Sequence, residues 1–145
     1  MAADTIVDRK HPAPERDKVG FASLCFSLAA PPLAWSLQSI AGYCISSEAC
    51  YPGDTPLLVP LFSSLRPLLL TINGAALLIG ILGFSIAYRN WCATRRETGG
   101  GPAQLIERGE GRTRFLAMCG IFVGAGFVVA TLFTSLSLLL SPLCR

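Results

Sequence analysis

Three long stretches of this chain carry no charged residue: 19–43, 67–88 and 115–140. Each exceeds the roughly 20 apolar residues that cross about 30 Å of hydrocarbon. Backbone amides cannot stay unpaired in lipid, so each stretch is expected to be a helix. Composition agrees, with 52% hydrophobic and only 14% charged residues among 145. A soluble domain carries about 25% charge, and a disordered one is poor in apolar residues. The expected fold class is an all-α membrane protein with three transmembrane helices.

The first stretch reads as a retained anchor. A charged tail precedes it, and it is longer than the roughly 7–15 residues of a signal-peptide core. The expected segments are a flexible tail at 1–18, helices at 19–44, 67–88 and 115–141, loops at 45–66 and 89–114, and a C-terminus at 142–145. Within the second loop, Thr98-Gly99-Gly100-Gly101-Pro102 breaks any helix, and Ala103 to Arg108 reads as a short surface helix. Ser63 or Ser64 ahead of Pro67 suits a helix start. Pro31-Pro32 is expected to kink or loosen the first helix.

Charge gives the orientation. Arg9, Lys10, Arg16 and Lys18 lie in the tail, and Arg89, Arg95, Arg96, Arg108, Arg112 and Arg114 in the second loop. Only Arg66 and Arg145 lie on the opposite side, so the formal net charge of +3 sits on the basic side. Basic loops stay in the cytoplasm, which puts the N-terminus inside and the C-terminus in the periplasm. Trp35 and Tyr43, and Tyr88 and Trp91, are expected at the two interfaces.

The spans contain no Asp, Glu, Lys, Arg or His. Transport and proton relay normally show such groups. The polar residues are Ser36, Gln38 and Ser39, then Thr71 and Asn73, then Thr131, Thr134 and Ser135. They suit hydrogen bonds between helices, or a lining for a quinone or ion. The single histidine, His11, is in the tail, and no haem-attachment motif is present. No nucleophile–base pair can be assembled, so no catalytic residue, resident cofactor or nucleic-acid partner is expected.

Small residues four apart occur at Ala76-x-x-x-Gly80, Gly83-x-x-x-Ala87 and Gly120-x-x-x-Gly124. Such pairs let backbones approach closely. They suit packing among the three spans and docking onto helices of another protein. Cys25 and Cys119 lie within spans and read as small apolar packing, while Cys92 is cytoplasmic. Cys44, Cys50 and Cys144 share the outer face. A Cys50–Cys144 disulfide is expected there, leaving Cys44 as the odd thiol. The other reading is a Cu(I) thiolate cluster of Cys44, Cys50 and Cys144, which soft sulfur ligands favour. No Met-rich or His-rich stretch accompanies it.

Two motifs carry a resemblance. One is Pro32-Leu33-Ala34-Trp35-x-x-Gln38-x-x-x-Gly42-Tyr43 with Cys50 following. The other is Arg112-x-Arg114-Phe115-Leu116-Ala117, running on to Ser141-Pro142-Leu143-Cys144. They are similar to small membrane proteins encoded beside haem-copper terminal oxidase (cytochrome c oxidase) subunits in proteobacteria. The likeness covers the first and third spans. Cys44 and the apolar stretch Leu57 to Phe62 are additions to that pattern. The resemblance implies an accessory or assembly role at a respiratory oxidase of the bacterial inner membrane. Its partners would be integral membrane subunits and lipid. An assembly factor handling copper or thiols, and a small transporter or channel subunit, are the alternative roles.

Overall fold

The computed structural model describes residues 19–94 and 112–144. These residues form helices joined by turns, bends and irregular links, with no strand among them. Helix α1 spans Phe21–Cys50, α2 spans Leu65–Ala93 and α3 spans Arg112–Leu140. All three are long and apolar enough to cross a membrane, which points to a multi-pass membrane protein. Each helix packs on the other two, so the chain forms an up-down-up bundle.

Burial on α2 falls at Leu65, Leu69, Asn73, Ala76, Gly80, Gly83, Ala87 and Asn90. Steps of four and three repeat along that series, the seam of a left-handed bundle. On α3 the same steps pick out Thr113, Ala117, Gly120, Gly124 and Thr131. Apart from Leu65 and Leu69 at one end, the buried positions of these two helices are therefore small or polar. The large apolar side chains face outward, among them Leu33, Leu37, Leu78, Phe122 and Phe133. A water-soluble domain keeps such residues inside. In lipid, association depends on close packing and interhelical hydrogen bonds, which is the arrangement observed.

The closest approaches occur at glycines. A Cβ on Gly83 would lie 2.7 Å from Pro31 Cγ and 3.1 Å from its Cδ. On Gly124 it would lie 3.0 Å from the Cα of Phe84. On Gly120 it would meet Ala87 Cβ at 3.1 Å and Ser27 Oγ at 3.2 Å. The small-residue motifs thus hold the three helices to one another. Pro31 lacks an N–H, which deprives the Ser27 carbonyl of its helical donor. That carbonyl oxygen faces Gly83, 3.8 Å from where a Cβ would sit.

The structure changes several expectations. Helix α1 runs unbroken through Pro31 and Pro32. It also continues to Cys50, six residues past the expected end at 44. Ser46, Ser47 and Glu48 end the apolar run without breaking the helix. Likewise α2 extends to Ala93, beyond the expected 88, and α3 begins at Arg112, ahead of 115. Ser64 stands at the N-cap of α2 but makes no side-chain capping bond. Trp35 lies halfway along α1, with its ring 5.6 Å from that of Phe127 on α3. Tyr88 and Trp91 pair near the end of α2. The tail 1–18, the glycine run and Ala103 to Arg108 lie outside the described residues.

Alanine substitutions separate tight glycines from open ones. Gly83→Ala and Gly124→Ala should each destabilise the bundle by about 1–2 kcal/mol through overpacking. Gly74 and Gly126 have nothing within 4 Å of an added Cβ. Gly126→Ala should be neutral or stabilising by about 0.5 kcal/mol, since Ala favours helix. Unfolding in detergent, followed by circular dichroism, measures both.

Candidate functional site

The end of α1, the start of α2 and the end of α3 meet at one end of the bundle. Ala49, Cys50, Leu65 and Leu69 form its buried centre, with Ile45, Leu138, Leu143 and Cys144 packed around them. Cys50 and Cys144 are joined as a disulfide across 94 residues of sequence, with Cα atoms 5.3 Å apart. That spacing is within the usual range for a bridge. Cys50 is buried and Cys144 half-buried. Arg66 Nη2 donates to the Ser141 carbonyl at 3.1 Å. A cation there satisfies a carbonyl at the α3 terminus and opposes the helix dipole.

The link from α1 to α2 folds back over this end. Gly53 adopts φ 61°, a left-handed turn that suits glycine. Leu57 N–H donates to the Cys50 carbonyl at 2.8 Å, and Leu61 N–H to the Ala49 carbonyl at 3.0 Å. These bonds cap α1 and hold Leu58, Val59 and Leu61 outward, at 89%, 72% and 66% exposure.

Beneath the disulfide, a cavity of about 340 Å³ opens between the three helices. Gln38, Ser39, Tyr43, Ser46, Asn73 and Thr134 supply its polar wall. Tyr43 and Ser46 also line a recess of about 220 Å³ that reaches Cys50 and Cys144. Polarity thus runs continuously from the bridge into the bundle.

The expected polar contacts divide into two kinds. Ser135 Oγ reaches Asn73 Oδ1 across the α2–α3 interface at 3.4 Å while also lying 2.9 Å from the Thr131 carbonyl of its own helix. Thr71, Thr131 and Thr134 instead donate to carbonyls of their own helices. A second interhelical contact was hidden from sequence. Ser23 Oγ donates to Asn90 Oδ1 at 3.1 Å, and Asn90 Nδ2 donates back at 2.9 Å. Asn90 lies beyond the uncharged run. Its signal is the four-three spacing from Asn73 through Ala76, Gly80, Gly83 and Ala87.

The disulfide pair is the one expected from sequence. The copper set is not assembled, because the bridge takes Cys50 and Cys144 and Cys44 stays free. On the continued helix, Cys44 lies about 9 Å from Cys50 along the axis and about 120° around it. Among the described residues, no group of three or more potential ligands gathers for a metal. Ala76, Gly80, Gly83, Gly120 and Gly124 are all buried in the bundle, where they serve packing among the three helices. Cys25 is exposed on the outer side of α1, while Cys119 is half-buried.

Cys50→Ser should destabilise the bundle by about 2–4 kcal/mol through loss of the cross-link. Cys44→Ser should change stability by less than about 0.5 kcal/mol. Mass mapping without reductant should recover the peptides of Cys50 and Cys144 as one species; recovery of both as free thiols from oxidised membranes contradicts the bridge. No protein-family model, curated protein or solved structure matches this chain.

Proposed function

We infer that this chain is a non-catalytic accessory subunit of a bacterial respiratory membrane complex, a haem-copper terminal oxidase in particular. It sits in the inner membrane with its N-terminus in the cytoplasm and its C-terminus in the periplasm. The count of basic residues on the two sides supports that orientation. The oxidase assignment rests on the likeness of the first and third helices to the oxidase-linked proteins.

One observation carries the docking role. The disulfide end displays an apolar loop, Leu58, Val59 and Leu61, fixed by two backbone bonds to the end of α1. Apolar side chains clustered and exposed outside the spans mark an interaction surface. A surface already fixed loses little entropy on binding. The glycine and alanine motifs are used within the bundle, so the partner meets this loop and the outward faces of the helices.

Affinity isolation of the tagged chain from gently solubilised membranes tests the reading. Oxidase or cytochrome subunits should be recovered in stoichiometric amount. Leu58→Asp with Leu61→Asp should reduce that recovery about tenfold or more while the Cys50–Cys144 bridge still forms, since central apolar contacts carry about 2 kcal/mol each. Recovery of the chain with no respiratory subunit refutes the assignment.

A further inference from the structure

We propose that the cavity between Gln38 and Asn73 binds the uncharged head group of a membrane-soluble lipid that bears carbonyl or hydroxyl oxygens, a quinone or an acylglycerol. Two buried carboxamides carry the proposal. Gln38 is 5% exposed and Asn73 is 4% exposed, and both line the cavity. Gln38 Nε2 donates to Ser39 Oγ at 3.2 Å, which leaves Oε1 without a donor. Ser135 Oγ lies 3.4 Å from Asn73 Oδ1 but 2.9 Å from the Thr131 carbonyl, which takes its single hydrogen, so the Asn73 carboxamide is at most weakly engaged. Both carboxamides therefore line the same space with unused hydrogen-bonding capacity.

The lining defines the ligand's chemistry. No Asp, Glu, Lys, Arg or His lines the cavity among the described residues. An ionic head group would find no counter-charge there, and burying an unpaired charge is far more costly than burying a dipole. Leu69, Ile72 and Leu138 supply the apolar part of the wall. A few polar groups set in an apolar wall is the usual make-up of a small-molecule site. Depth agrees with a lipid source. Asn73 lies seven residues into α2 from Arg66, about 10 Å along the axis. A tailed molecule can reach that depth from the bilayer with its tail left in the hydrocarbon.

The inference rests on the membrane placement above and not on the respiratory partner, so purified protein in phosphatidylcholine nanodiscs tests it. Two photoreactive probes are used, an azidoquinone with an isoprenoid tail and a diacylglycerol carrying a diazirine. One of them should label residues 38–46 or 69–73 saturably, and its unlabelled form should compete. Labelling by the quinone alone identifies a quinone site; labelling by the diacylglycerol alone identifies a glycerolipid site. Gln38→Leu and Asn73→Leu should each raise the half-saturating concentration about tenfold, the loss of one buried hydrogen bond. Gly42→Val should abolish saturable labelling by filling the space. A Cβ on Gly42 would lie 3.9 Å from Leu69 Cδ2, an ordinary contact, so this variant keeps the interface. Formation of the Cys50–Cys144 bridge reports its folding. Labelling that does not saturate, or that is unchanged in bridged Gly42→Val, overturns the proposal and leaves the cavity to water.

Discussion

Pro31 sits against Gly83 with no room for a methyl group between them, and the bundle is arranged around that approach. It brings α1 and α2 together near their midpoints. Gly120 then admits α3 beside Ser27 and Ala87, and Gly124 lies over the backbone of Phe84. Each contact needs a residue without a side chain at one fixed place. A larger residue there forces a helix outward and separates the polar pairs above and below.

Those pairs stand at opposite ends of the contact. Ser23 and Asn90 join α1 to α2 on one side, and Ser135 and Asn73 join α3 to α2 on the other. Interhelical bonds of this kind contribute about 0.6–1.7 kcal/mol each. They orient the helices more than they hold them. The disulfide end adds the covalent tie, the Arg66 contact and the small apolar cluster. Close packing at the centre and cross-linking at one end leave the polar cavity between them.

Much of this was legible in the sequence. Three uncharged runs in so short a chain leave few alternatives to three helices. The glycine and alanine spacing marked the contact faces, and shared location marked Cys50 and Cys144. Helix ends were not legible, because hydropathy reports where lipid ends and a helix continues past it. The extension of α1 to Cys50 turned Cys44 away from the bridge. The same extension leaves Trp35 halfway along α1. The carboxamides of Gln38 and Asn73 were visible as polar residues. Their convergence on one cavity was not, because it depends on how α1 and α2 are rotated against each other.

The order in which the chain is made gives the bridge a further meaning. Cys50 closes the first helix, and Cys144 stands 94 residues later, past the end of the third. The two sulfurs meet only after α2 has turned back and α3 has traversed the bundle. A truncated chain lacks Cys144, and a chain with one inverted helix carries it to the wrong end. The bond therefore records completed assembly, and its presence distinguishes correctly threaded molecules from all others.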